Sequence, residues 1–557
     1  MGTRTKRTVT RRDFLKVGML TGTVALLHAC AQTAEPTPTS VPPTQAKPTA
    51  AASPAATPVA TQPTATTAPA TPPTAAGPKK GGTLTLACTM GIQEFNPMSL
   101  LVGHAPYIRS MYNTLVRYDF NLNPQPELAE KWDFSADGTV MTLKLREDVK
   151  FHTGRPFTSE DVKTSVEFGQ TNERAIMKTL FQTVKEVDTS EKYTVKLKFA
   201  SVNPGVYDML DVLYIVDKEA LEDRSKNGVG TGPFKLDKYV PNDRVEMVAF
   251  KDYWDKGKPY LDRYIVRQIP DLAALSVNLE TGAIDIAFNA SLQDGARLRD
   301  QGGKYIVDPG APGSTIFDVG INVKVEPFTD KRVRQAVAWS IDRERFCKTA
   351  LQGFSKPTCL IWPANSWAYF EDLQGKIGYD LDKARALLKE AGLENGFDTE
   401  LRTSSKTNVG YGDLAVILQA DLKKIGINAK VADLEPAQYT ALNQKGDLVM
   451  MAHAYGRASR DPGSTLMGAK AWYLESEGGW NHYYSPEYEQ LRNDLQSTLD
   501  QEKRKGLCRQ IQELMLDECF TITVGDGVRL WAYPTYVKGI EYNMDNALYA
   551  GGVWLDK

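Results

Sequence analysis

The segment from Glu127 to Phe168 carries the clearest alternation of apolar and polar positions in the chain. Trp132 and Phe134 alternate with polar residues, and Asp137-Gly138 follows as a hairpin signal, since glycine reaches the positive φ such turns use. Met141, Leu143 and Leu145 then share one face of a second strand, with Thr142, Lys144 and Arg146 on the other. Thr153-Gly154 turns the chain again. Thr158 and Asp161 have capping-box spacing, and Val162 and Val166 supply the buried side of the helix that follows. Alone, this predicts an antiparallel sheet with a helix packed on it.

Other segments add elements of both kinds. Leu84 and Leu86 share one face of a first strand, and Tyr193, Val195, Leu197 and Phe199 alternate with Thr and Lys. Val333, Ala336, Val337 and Ile341 recur at helical spacing. Ala384, Leu387, Leu388 and Ala391 form a second amphipathic helix closed by Gly392, and Leu414, Ile417, Leu418, Leu422 and Ile425 a third closed by Gly426. A strand at Ile427, Ala429 and Val431 follows. A helix around Glu502–Leu516 and a strand near Phe520–Val524 come late in the chain. Alternation of helix and strand argues an α/β lobe.

The N-terminus reads as an address. Thr10-Arg11-Arg12-Asp13-Phe14-Leu15-Lys16 fits the twin-arginine export pattern, and the apolar run Val17 to Ala29 is a signal-peptide core. That run is too short for a stable span, which needs roughly 20 apolar residues. Leu27-His28-Ala29-Cys30 resembles a lipobox, so cleavage and lipidation at Cys30 are expected; the alternative is a signal with an incidental cysteine. Residues 30–79 collapse to Pro, Thr, Ala and Ser. They cannot bury a core, and a disordered or extended tether between anchor and folded domain is expected.

Length, charge and chemistry narrow the function. A chain of 557 residues exceeds one hydrophobic core and implies subdomains. The formal charge of -2 offers no basic field for nucleic acid. Besides Cys30 there are Cys88, Cys347, Cys359, Cys508 and Cys519, an odd set for an exported chain. Cys347 and Cys359 are near enough in sequence to be bridged, whereas Cys508 and Cys519 lie too far apart along one predicted helix. No Cys-x-x-Cys occurs, so neither a zinc nor a thioredoxin-like site is indicated. His104, His152, His453 and His482 are scattered, and H-E-x-x-H, G-x-S-x-G and G-x-x-x-x-G-K-[ST] are all missing. The expectation is a protein that is not an enzyme and holds no cofactor.

The wording of these segments is more specific than their pattern. E-L-A-x-x-W from Glu127, D-G-x-x-x-T-x-x-L-R from Asp137 and V-K-F-H-x-G-x-P-F-T-x-E-D-V from Val149 resemble the signature region of the extracytoplasmic solute-binding proteins, family 5, of peptide-type ABC transporters. Gly230-Thr231-Gly232-Pro233-Phe234, the L-x-x-G-x-I-D-x-A step from Leu279 and V-R-Q-A-V-A-x-x-I-D-R from Val333 extend the resemblance over roughly residues 80 to 540. It implies an α/β, two-lobed periplasmic-binding-protein-like fold of type II, with an extra subdomain and mixed sheets joined by a two-strand hinge. The boundaries implied are signal 1–29, tether 30–79, first lobe 80–120, 121–225 (its second subdomain), 226–314 and 523–557, and second lobe 315–522. Function is then capture of a peptide-like or oligosaccharide-like solute between lobes and delivery to ABC permease subunits with cytoplasmic ATPases. The implied protein is a monomer, anchored through Cys30 to the outer face of the cytoplasmic membrane.

The resemblance also nominates a site. The strand Asp447–Met451 and the loop Ala452–Pro462 match the family's ligand-facing strand and loop. In peptide-binding members an Asp of this loop holds the peptide ammonium; here Ala458 stands near that position, between Arg457 and Arg460. Two guanidiniums without a carboxylate would repel an ammonium, so a neutral or anionic solute, an oligosaccharide or a carboxylate-bearing compound, joins oligopeptides as a candidate. Asp461 either supplies the carboxylate or pairs with Arg460. Tyr455 reads as an aromatic platform or as core. Trp480 and Asn481, Trp362 and Trp367, and first-lobe Phe95 and Asn96 complete the candidates. Rival readings are an exported hydrolase, a sensor or adhesin on the same fold, and metal or haem carriage through His453 and His482.

Overall fold

The computed structural model describes residues 77–557 apart from 93–94, 100–103, 173–174, 176–177, 221–226, 408–409, 457 and 459. The export signal, Cys30 and nearly all of the tether therefore lie outside the described residues. Among the described residues no helix is long and apolar enough to cross a membrane.

The hairpin forms where the alternation places it. Ala129–Phe134 and Val140–Leu145 pair antiparallel, with Trp132 opposite Leu143 and Phe134 opposite Met141. Gly138 takes φ +69° in the turn, and the Asp137 carboxylate accepts the Thr139 amide at 3.1 Å. Met141, Leu143 and Leu145 are fully buried. Thr194–Phe199 and Val184–Glu191 complete a four-stranded sheet, and the helix Ser159–Thr171 begins at the predicted box, where Asp161 accepts the Thr158 amide at 2.9 Å.

This small sheet shares its core with a seven-stranded one. Thr83–Cys88 lies near the middle, parallel to both Arg263–Gln268 and Ile286–Phe288. Leu84, Leu86, Val266 and Ile286 join Met141, Leu143 and Val162 in one apolar cluster, so the two sheets form a first lobe. A second lobe is built on the five-stranded sheet Ile427–Asp433, Phe397–Thr403, Met450–Gly456, Thr315–Ile321 and Thr521–Asp526. Its separate core takes the apolar faces of the helices Lys331–Ser340, Leu381–Glu390 and Tyr411–Lys423.

The Gly230–Phe234 segment shows why its glycines are needed. The Gly232 amide donates to Met111 O at 2.9 Å, and a Cβ on Gly230 or Gly232 would sit 2.2 or 2.5 Å from backbone of that turn. His152 closes the same contact. Its Nδ1 accepts the Gly230 amide at 3.3 Å, so its Nε2 carries the proton donated to Gly232 O at 3.0 Å. Burial pushes the His152 pKa down to about 4, which marks a neutral structural histidine.

Two antiparallel crossings join the lobes. The chain leaves the seven-stranded sheet after Tyr305–Asp308 and enters the other lobe at Thr315–Ile321; it returns from Thr521–Asp526 to Trp531–Pro534. The crossings are tied by Gly527 N to Thr315 O at 2.7 Å and Arg529 N to Pro309 O at 2.9 Å. The connecting residues 309–314 and 527–530 belong to neither sheet, the kind of short segment that serves as a hinge between separately packed lobes.

The expected Cys347–Cys359 bridge is not formed. Cys88, Cys347, Cys359, Cys508 and Cys519 are all free and buried. Cys347 instead donates to Ser355 Oγ at 3.7 Å and Cys359 to Leu373 O at 3.7 Å.

Candidate functional site

Two cavities lie between the lobes, on either side of the paired strand ends at Thr315 and Gly456. The larger, about 920 Å³, is walled on the first lobe by Thr183, Ser201 and Asn203 and on the second by Gly456, Ser464 and Gln496. The other, about 760 Å³, abuts the hinge at Gly527–Leu530 and is lined by Asn289, Phe317 and Gln352 among others. Both volumes suit a small solute, since such pockets run to roughly 300–1,000 Å³.

Beside the larger cavity a buried charge network ties lobe to lobe. Arg460 is only 2% exposed. Its Nη1 donates to Asp211 Oδ2 at 3.0 Å and its Nη2 to Asp545, both in the first lobe. The Asp461 amide donates to Asp208 Oδ1 at 3.1 Å. Asp211 is held from its own side by Arg109 at 2.7 Å. Asp461 takes Arg504 in a two-pronged pair, 2.7 Å for each bond, and caps the helix Pro462–Leu466 by accepting the Gly463 amide at 3.0 Å. Carboxylates outnumber guanidiniums here, and the excess falls on Asp208. Burial, then the Asp461 charge, raises its pKa to about 6 against the pull of Arg460.

This changes two sequence readings. Arg460 presents no free positive charge to a solute, because Asp211 and Asp545 take it up, so it does not repel an ammonium. Arg457 lies outside the described residues. Asp461 pairs with Arg504 and not with Arg460. Neither partner was visible in sequence, since Asp211 stands 249 residues before Arg460. A local signal did exist: Asp208 and Asp211 interrupt the apolar run Val206–Val216, and carboxylates buried in such a run need a cation.

The aromatic candidates sit mostly in the cores. Tyr455 packs edge-on to Trp472, centroids 4.0 Å apart, with its hydroxyl 3.5 Å from Asp318, so it is core and not a platform. Trp362 is fully buried in the second-lobe cluster. Phe95 is buried in the first, edge-on to Tyr239. Trp480 is half-buried against His453, and Asn481 is fixed by donating to Ala471 O at 2.8 Å. None of these five lines either cavity. Asn96 accepts the Met98 amide and the Asn172 side chain, each at 3.1 Å, and so holds its turn. Trp367 lies under the Arg504 guanidinium at 5.2 Å and braces the network. His453 faces Asp318 at 3.0 Å while His482 contacts Gly446 O at 2.9 Å. Among the described residues no group of three or more His, Cys, Asp or Glu is placed to hold a metal.

Two lobes, a double connection between them and cavities walled from both sides define a binding protein of the type II periplasmic class. The profile of the bacterial extracellular solute-binding proteins, family 5 Middle, matches residues 123–472, and the chain belongs to that family. It is 28% identical over 494 residues to the dipeptide-binding protein of Escherichia coli (strain K12), covering 81% of this chain and 91% of that one. The solved structure of the ABC transporter-associated periplasmic binding protein DppA from Helicobacter pylori, in complex with the peptide STSA, superposes with a TM-score of 0.69. The two chains are 25% identical, with 86% of this chain and 99% of that one covered. HbpA2 from Haemophilus parasuis shares the fold at a TM-score of 0.76 and 24% identity, over 85% of this chain and all of the other. Like these relatives, the chain is a solute-binding protein of transporters and not an enzyme.

Proposed function

We propose that the chain captures a small peptide-like or oligosaccharide-like solute in the larger inter-lobe cavity and presents the closed form to an ABC permease. One observation carries this reading: first-lobe Asn203 and second-lobe Ser464 wall the same cavity, so a solute held there touches both lobes. A solute touching both walls gains contacts only when the lobes are together, so binding and closure are one equilibrium. The first lobe runs over 80–314 and 523–557 and the second over 315–522. The protein works as a monomer outside the cytoplasmic membrane, held by lipid on Cys30 through the tether.

A thermal-shift screen against oligopeptides, oligosaccharides and organic acids tests the capture step. Specific binding stabilises the fold by RT ln(1 + [L]/Kd), about 2.7 kcal/mol at a hundredfold excess over Kd. Silence across all three classes would refute it. The anchor is tested separately: Cys30→Ala should release the protein from the membrane fraction, and continued retention would refute lipid attachment there.

A further inference from the structure

We infer that the larger cavity selects a solute without formal charges at its ends, rich in hydroxyl or amide groups. This rests on the capture reading above and narrows it.

Arg460 lines the cavity but is bound by Asp211 and Asp545. Glu477 lines it too, but accepts from Arg492 and from the Leu474 amide. Among the described residues the remaining ionised side chain on the wall is Lys185, exposed and donating to Gln182 O at 3.3 Å, where water serves it. Among the described residues no carboxylate on the wall is left to meet an ammonium. A zwitterionic short peptide would lose the hydration of its termini and find at most one counter-charge among the described residues, and an unpaired desolvated ion is strongly disfavoured.

Neutral hydrogen-bonding groups, by contrast, stand ready on both walls. Thr179, Gln182 and Ser201 on the first lobe and Gln496 on the second make no side-chain hydrogen bond within the described protein. Amides and hydroxyls both donate and accept, so they serve sugar hydroxyls and peptide groups equally. Leu180, Val202 and Met467 supply apolar patches between them.

The test compares three probes by calorimetry on the whole folded protein: zwitterionic tetraalanine, the same peptide N-acetylated and C-amidated, and maltotetraose. The expected result is that the capped peptide or maltotetraose binds at least tenfold more tightly than tetraalanine. Gln496→Leu and Ser201→Ala should each weaken the better probe by about three- to tenfold, the equivalent of one neutral hydrogen bond, with an unchanged melting temperature without probe. Tetraalanine binding as tightly as its capped form would overturn the inference and leave the capture reading standing. Binding of none of the three, with no change in the scattering curve, would overturn both for these solute classes.

Discussion

Replacing Arg460 by Gln should open the lobes. In the closed arrangement Arg460 is buried and joins two first-lobe carboxylates, Asp211 and Asp545. Removing one partner of a buried ion pair costs roughly 3–5 kcal/mol, because the other charge stays desolvated. Arg109 still holds Asp211 at 2.7 Å, so the lower end applies. With the lobes apart, Asp211 and Asp545 return to water and the penalty vanishes. The cost therefore falls on the closed form alone, and about 3 kcal/mol shifts the closed-to-open ratio by roughly 150-fold. Small-angle scattering of the solute-free variant should show a larger radius of gyration than the parent. The apparent Kd for any bound solute should rise by up to the same factor. Arg460→Lys keeps the charge but not the fork that reaches two carboxylates, and should fall between. Far-UV circular dichroism should stay unchanged, since each lobe keeps its own core. A Gln variant with the parent's scattering curve and affinity would refute the claim that this contact holds the lobes together.

Further outcomes follow from other parts of the molecule. Burial raises the Asp526 pKa to about 7, opposed by Lys356, and its Oδ1 is buried without a partner. Its folded pKa lies above its unfolded one, so this group costs nothing below about pH 4 and costs progressively more as pH rises to about 7. Asp526→Asn should therefore raise the melting temperature at pH 8 and change it little at pH 4; equal effects at both would contradict this. Trp531 is fully buried, with its ring 4.4 Å from Phe288 and stacked at 5.4 Å on Tyr542, so Trp531→Ala should cost about 3–5 kcal/mol in urea unfolding. A loss under about 1 kcal/mol would put that packing in doubt. The buried thiols, with burial raising Cys347 to about 11 and Cys519 to about 12, should resist an aromatic disulfide reagent in the folded protein and react in guanidinium. Reaction of any of the five within minutes under native conditions would show an exposed thiol.

The fold was legible wherever one face of an element is buried. The helix around Glu502–Leu516 appears as Gln501–Glu518, and the strand near Phe520–Val524 as Thr521–Asp526. Phe397–Thr403 gave no signal, since its Asp, Glu and Arg break the alternation and only Leu401 and Thr403 of the strand are buried. The short Pro124–Pro126 strand was equally silent, because proline argues against a strand and this one pairs only at the edge with Val116–Tyr118. The site was less legible than the fold. Loop Ala452–Pro462 was located by its wording, yet the partners of its charges come from helix Val206–Val212, from Asp545 and from Arg504. Long-range pairing leaves no periodic trace. Aromatic residues such as Tyr455 and Trp362 mark a core as readily as a binding face, and here they mark the core.

The most direct test of the clamp is an inter-lobe distance. Glu186 and Gln490 are exposed on opposite lobes, and the five described cysteines are buried, so in a Cys30→Ala background Glu186→Cys and Gln490→Cys can be spin-labelled alone. Pulsed dipolar spectroscopy should give a broad distribution without solute that collapses to a single short distance with a solute that raises the melting temperature. One unchanged distribution with and without every such solute would contradict closure on the ligand.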